Sequence, residues 1–220
     1  MVASCKEMSR GADIMNKIKR IECSMILIDL SGFTQLLYYG ALKPEIMSII
    51  INGVEQLFRR AHNAVGEHDS IQIINTTGDG FIAVATNDTP SRTALTFAQT
   101  VKADFMKFTR PTLLSIPFRQ VIELRIALHH GCMYELLQSE HEHQKIYIGD
   151  DLNLLARIVN SQIARLDGWA ISRAFYKRLM LVGKTKLKPD EVILDRNKYP
   201  EQIEIYKLPA TIPEHDSRRK

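Results

Sequence analysis

An α+β fold, with a βαββαβ core and a strand–helix–strand extension behind it, is the architecture this sequence predicts. Three observations carry it. The apolar run Met25 to Ile28 closes on Asp29 and opens into Ser31-Gly32-Phe33-Thr34, the pattern of a buried strand that ends in a carboxylate, then a glycine turn and a helix start. From Thr34 to Ala64, apolar residues recur at helical spacing, among them Leu36, Leu37, Ile46, Ile50, Val54 and Leu57. Two short β-rich runs, Ile71 to Ile74 and Phe81 to Ala85, then flank Asn75-Thr76-Thr77-Gly78-Asp79-Gly80. A hairpin is expected there, with Asp79 near its tip.

The remaining elements follow in order. Residues 1–19 are polar and mixed and read as an N-terminal arm. The first strand is expected over Ile21 to Leu30. The helical stretch after it is one long or kinked helix, with Gly40 and Pro44 predicting a break near Tyr38-Tyr39. A second helix is expected from Asp88 to Arg110, stopped by Pro111, and Thr112 to Pro117 reads as a loop. Val121 to His129 alternates as a strand, and Cys132 to Leu137 is expected to pair back with it. Gln138 to Gln144 (QSEHEHQ) is a solvated loop, because nothing apolar frames its histidines as metal ligands. Ile146 to Ile148 makes a short strand, Asp151 to Leu166 a helix, Trp169 to Ser172 a strand, Arg173 to Leu179 a short helix, and Ile203 to Leu208 the last strand. The charged, proline-bearing tail from Thr211 to Lys220 is expected to be disordered. One domain therefore spans about residues 20–208, with 209–220 as tail. Its first part has the order of a ferredoxin-like fold, an antiparallel sheet with helices on one face.

Composition bounds the function. A chain of 220 residues, 45% hydrophobic and 25% charged, is that of a soluble globular domain. No apolar stretch approaches the ~20 residues a membrane helix needs, and MVASCKEMSR lacks a signal-peptide core. The three cysteines (Cys5, Cys23, Cys132) have no metal-site spacing and read as reduced thiols in the cytoplasm. A net charge of +4 suits an anionic small ligand and is too weak to argue for nucleic acid.

Two constellations carry chemistry. Asp29 alone is equally a helix cap. In a βαββαβ sheet, however, the first strand is central and the turn holding Asp79 comes up beside its end, so two carboxylates can share a pair of hard divalent cations, Mg²⁺ or Mn²⁺, with phosphate oxygens completing the shell. On the helix after Gly149, Asn153 and Arg157 stand four residues apart on one face. There a guanidinium can meet a phosphate and an amide can meet a sugar; a solvated helix face is the competing reading.

Four segments in register, MILIDLSGFT (25–34), TGDGFIA (77–83), LRIALHHG (124–131) and YIGDDLNLLAR (147–157), resemble the class III nucleotidyl cyclase catalytic domain over about residues 20–208. The resemblance implies a homodimer with active sites in its interface. Asp29 and Asp79 match the family's two metal-binding aspartates, and the Leu30 carbonyl its backbone metal ligand. Gly32, Phe33 and Thr34 match the turn that holds the triphosphate. Asn153 and Arg157 match the transition-state pair supplied by the other subunit. The implied reaction turns a nucleoside triphosphate into a 3′,5′-cyclic nucleotide and pyrophosphate, with two Mn²⁺ or Mg²⁺ per site. A lysine near the last strand contacts the triphosphate in the family; Arg196 and Lys198 both lie near that place. His129 and His130 fall where the family has His-Thr-Gly and read as structural.

The chain departs from the family at the base-selecting positions. Adenylate cyclases carry Lys where this chain has Asn75, and Asp or Thr where it has Ile146; guanylate cyclases carry Glu and Cys. Ile146 offers a base edge no hydrogen bond, so purine edge groups would be buried without partners. A small cyclase domain altered in this way resembles the bacterial pyrimidine cyclases of phage defence. That likeness implies cyclic UMP, or less favoured cyclic CMP, acting on a downstream effector, with Tyr38 and Tyr39 available to narrow the base pocket. A purine cyclase with an atypical pocket and an inactive nucleotide-binding module are the alternatives.

Overall fold

The computed structural model describes residues 18–67, 69–118, 122–137, 145–161, 164, 168–182, 189–190 and 205–206. Residues 1–17 of the expected arm 1–19, the loop Gln138 to Gln144, Arg196, Lys198 and the tail lie outside them.

β1 (Ile18–Ser31) is the spine. It starts three residues before the expected strand and is apolar on both faces, with Ile26, Ile28 and Leu30 in one core and Cys23, Met25 and Leu27 in the other. A strand buried on both sides reads as a continuous apolar run, which is why MILI does not alternate. Burial pushes the Cys23 thiol up to about 12 and leaves it unreactive.

α1 (Phe33–Ala41) and α2 (Pro44–Gly66) divide the long helical pattern. The break falls at Leu42-Lys43, past the tyrosine pair. Lys43 is extended, as a residue before proline must be, and Pro44 sits in the first turn of α2, where its missing N–H costs no helix bond. β2 (Ile71–Thr76) and β3 (Phe81–Ala85) form the expected hairpin. Between Ile73, opposite Ala83, and Asn75, opposite Ile82, the register shifts by one residue in a β-bulge.

α3 (Pro90–Asp104) does not stop at Pro111. It passes through a π-helical turn, Phe105–Thr109, into α4 (Arg110–Leu114). The Arg110 N–H reaches back five residues to the Phe105 carbonyl. The widened turn, with Pro111 restarting the helix in its first turn, replaces the break that a proline in a regular helix would force. Thr112 to Leu114 are helical for that reason rather than loop.

β4 (Glu123–Leu137) is a single strand, not the expected strand with a return. β1 is long enough to pair with it antiparallel throughout, from Ile18 opposite Leu136 to Ser31 opposite Glu123. β5 (Lys145–Ile148) pairs with the far end of β4, and β6 (Trp169–Ser172) runs parallel to its near end. β7 (Pro189–Asp190) and β8 (Ile205–Tyr206) complete a sheet of order β2-β3-β1-β4-β6-β8-β7 among the described residues.

α5 (Asp150–Val159) and α6 (Arg173–Val182) are the remaining long helices of this region. α1 to α4 and α6 cover the Ile26/Ile28 face, with Leu36, Ile50, Leu57, Phe97 and Phe175 fully or almost fully buried. α5 lies across the opposite face, where Leu155, Ile158 and Val159 meet Met25 and Leu27. The helices of the βαββαβ part lie on one face as expected, and α5 of the extension covers the second face, which is too apolar to be left in water. No helix among the described residues is long and apolar enough to cross a membrane.

Phe81 is fully buried against Phe58 and Phe97, with ring centroids at 5.8 and 6.4 Å. Phe81→Ala should destabilise the domain by about 3–5 kcal/mol in urea unfolding, the cost of a large core cavity.

Candidate active site

β1 delivers Asp29 near its C-terminal end, three residues before Gly32, whose φ of +76° starts α1. Only glycine takes that backbone freely. The first turn of α1 carries no acidic residue and no side-chain cap, so its free N–H groups, near Phe33 and Thr34, face outward as an anion-binding end. The Leu30 side chain is buried in the core, which leaves its backbone as the part able to face the site.

The β2–β3 turn closes with the Thr77 N–H on the Gly80 carbonyl at 2.8 Å, and Gly78 has φ +88°. Gly80 is pressed onto β1. A Cβ there would overlap the Ile28 carbonyl and come within 3.0 Å of Asp29 Cα. Asp79 is thereby held beside Asp29. Its carboxyl is raised above the ordinary range, first by burial and then by the charge of Asp29, with Arg125 acting in the opposite sense. The two expected metal-site carboxylates are brought together.

Arg125 is the residue that the motifs did not announce. β4 places it opposite Asp29, and its guanidinium makes an ion pair with the Asp29 carboxylate. A second nitrogen reaches Asn160 Oδ1 at 3.4 Å, while its Nε is buried without a hydrogen-bond partner. An alternating strand with one arginine level with a strand-end aspartate is the signal that could have found it. Among the described residues, no three His, Cys, Asp or Glu side chains group as a metal cluster. Two crowded carboxylates nevertheless fit divalent cations, because bound positive charge relieves the repulsion that raises Asp79. The open end of α1 fits phosphate oxygens.

Asn153 and Arg157 are placed differently. Leu155, Ile158 and Val159 pin one side of α5 to the sheet, and at 100° per residue Asn153 and Arg157 project from the other side. Asn153 is exposed and Arg157 half-buried. The chain thus presents this pair away from its own core.

Cross-strand pairing assigns the base-selecting positions to faces. The bulge puts Asn75 opposite Ile82, which is opposite Leu27, and so on the face of Asp29. Unbroken alternation would have turned it under the helices with Ile71 and Ile73. Ile146 pairs with Leu136, and it is 39% exposed on the other face of β5. Its neighbour Tyr147 pairs with the buried Glu135 on the Asp29 face. Tyr147 donates to Glu135 Oε2 at 3.2 Å, Lys145 Nζ reaches the same oxygen at 3.2 Å, and the Gln72 side chain lies beside the phenol. Burial, then the Glu135 charge, pushes the Tyr147 hydroxyl up and keeps it protonated. β2 and β5 are separated by three strands, so this contact requires the sheet to curl over the Asp29 face. Tyr39 packs on Phe118 at 5.6 Å between ring centroids, whereas Tyr38 is 75% exposed.

Comparison with known proteins places this geometry. The family model for the adenylate and guanylate cyclase catalytic domain matches residues 16–202. The chain belongs to this family. Among solved structures, the cyclase domain is similar to the adenylyl cyclase CyaB from P. aeruginosa, with TM-score 0.69 and 15% identity over 90% of this chain and 98% of that one. It is similar to the guanylyl cyclase Cya2, with TM-score 0.66 and 16% identity over 86% and 91%. A non-canonical dimeric guanylyl cyclase domain of the RhoGC fusion protein from Blastocladiella emersonii gives TM-score 0.63 and 16% identity over 86% and 95%. No curated protein matches the chain.

Asp79 holds its proton more tightly in the folded chain than in the unfolded one. Folding stability should therefore fall as pH rises from the ordinary carboxylate range through the raised value. Asp79→Asn should raise the melting temperature of metal-free protein at neutral pH. The same change should abolish the further rise that Mn²⁺ gives wild type, both read by differential scanning fluorimetry.

Proposed function

We propose that this cyclase domain converts a nucleoside triphosphate to a 3′,5′-cyclic nucleotide and pyrophosphate as a homodimer, with UTP preferred over CTP and both over purines. The pairing of Asp29 with Asp79, at the strand ends of a sheet whose α5 turns Asn153 and Arg157 outward, carries the reading. Divalent cations held by Asp29, Asp79 and the Leu30 carbonyl would lower the pKa of the ribose 3′-hydroxyl and neutralise the departing pyrophosphate.

The chain's own groups do the rest. Arg125 orients the Asp29 carboxylate through its ion pair, and the N-terminus of α1 at Phe33 and Thr34 receives the triphosphate. The second subunit's copy of Asn153 holds the ribose so that the 3′-oxygen is in line with the α-phosphorus. The second subunit's copy of Arg157 stabilises the charge that grows on the α-phosphoryl oxygens. A pair projecting away from the chain's own core supports this division of labour between subunits.

Base preference is read from the residue types at Asn75 and Ile146; within one chain Asn75 is on the Asp29 face and Ile146 on the other. Asn75 is turned toward the Asp29 face and can both donate and accept. The fixed Tyr147 phenol, beside Glu135 and Gln72, adds bulk and polarity on that face, which favours a one-ring base. The product would act as a second messenger on a cyclic-nucleotide-activated effector in antiviral defence, a role that rests on the likeness to the phage-defence cyclases.

Incubation of purified protein with each of the four nucleoside triphosphates and Mn²⁺ tests this directly. Cyclic UMP should dominate. Faster turnover of ATP or GTP would overturn the pyrimidine reading, and no product from any would favour an inactive nucleotide-binding module. Asp29→Ala should abolish turnover with the melting curve retained. Arg157→Ala should lower kcat by roughly 10²–10³ with little change in KM, the size expected for one lost oxyanion donor.

A further inference from the structure

We infer that Asp151 and His129 form a latch that fixes α5 on β4, making Asp151 a positioning residue for Asn153 and Arg157. The inference rests on the role proposed above for that pair. Four elements meet at the latch. Ser172, at the end of β6, accepts the Phe175 N–H at the start of α6 at 3.1 Å. Its hydroxyl lies 2.8 Å from His129 Nδ1. With Ser172 donating to Nδ1, the imidazole proton sits on Nε2 and is donated to Asp151 Oδ1 at 3.0 Å. Asp151 Oδ2 accepts the Cys132 N–H of β4 at 2.6 Å. The His129 hydrogen bond, and after it the Cys132 amide, holds the Asp151 carboxyl below its ordinary range even though burial works the other way.

A serine–histidine–aspartate series of this kind resembles a nucleophile relay, and the burial excludes that. Ser172 is 2% exposed and His129 4%, and the Ser172 oxygen is already occupied. The series is a fastening. Asp151 lies in the first turn of α5, two residues before Asn153 and six before Arg157. Past its C-terminal end, Arg125 of β4 donates to Asn160 Oδ1 at 3.4 Å; within the helix, Leu155, Ile158 and Val159 meet the sheet through apolar contacts. Such contacts hold a helix down but leave it free to slide or roll, since they are non-directional. Two directional bonds from one charged carboxylate remove that freedom.

β4 is shaped to receive it. Gly131 lies directly beneath the carboxylate. A Cβ there would overlap Asp151 Oδ2 and come within 2.9 Å of His129 Nε2. That accounts for a glycine in the middle of a strand that does not turn.

The test uses full-length chains, the nucleotide that wild type turns over, and Mn²⁺. Asp151→Ala should lower kcat by about 30–100-fold with KM and nucleotide affinity within about threefold, the cost of misplacing a reacting group by about an ångström. Asp151→Asn should recover most of that turnover, because its amide can still accept from Cys132 and donate to His129 after a tautomer change. Gly131→Ala keeps the carboxylate but displaces it, and should behave as Asp151→Ala if that variant does not fold. Subunit mixing gives a readout that a general loss of stability would not. Asp151→Ala mixed with Asp29→Ala should regain activity, because one site then receives an intact Asp29 and an intact α5. Asp151→Ala mixed with Arg157→Ala should not, because both defects reside on α5.

A loss in KM rather than kcat, no recovery with asparagine, or rescue by the Arg157→Ala chain would overturn the latch. Failure of Asp29→Ala and Arg157→Ala to complement each other, with exchange verified by mass, would instead overturn the shared site itself.

Discussion

The unbroken antiparallel pairing of β1 with β4 is the constraint on which the site depends. It runs from Ile18 opposite Leu136 to Ser31 opposite Glu123, and it decides the face of every side chain on both strands. Asp29 meets Arg125 because of it, and His129 and Glu135 are turned to the side where α5 and β5 can use them. A slip of one residue would exchange the two faces, burying Asp29 under the helices and turning Ile28 outward. Apolar residues on both faces of β1 hold the register. The site is therefore secured by the hydrophobic core rather than by its own polar contacts.

Around that spine, glycines mark the places where two pieces of backbone or a carboxylate must come closer than a Cβ permits. Gly80 lets the hairpin tip rest on β1 beside Asp29. Gly131 lets Asp151 rest on β4. Both are close-approach positions within an otherwise regular sheet, and each brings a carboxylate to the place where its charge acts. The β-bulge at Ile73 to Asn75 works by another route, adding one residue to re-aim the next side chain.

Much of this was legible in the sequence because it is local. The run MILID, the spaced pair around Thr77-Gly78-Asp79-Gly80 and the helix of Asn153 and Arg157 each declare an element and a candidate group within about ten residues. What was not legible depends on contacts between distant segments. Arg125 lies 96 residues from Asp29, and no local pattern ties them. Gly131 reads as a turn when seen alone, so β4 was divided in two. Pro111 reads as a stop, because the π turn that accommodates it leaves no mark in the residue types. The side of the sheet taken by α5 followed only from the second apolar face of β1, which a continuous apolar run hides.

The outward aim of Asn153 and Arg157 has a kinetic meaning. A chain that holds both carboxylates but turns this pair from its own core is, under the proposed mechanism, half an enzyme. At concentrations well below the dimer dissociation constant, the number of complete sites scales with the square of chain abundance. A twofold rise in expression would then give a fourfold rise in output, and dilution would silence the signal without any inhibitor. Such a catalyst reports how often its copies meet.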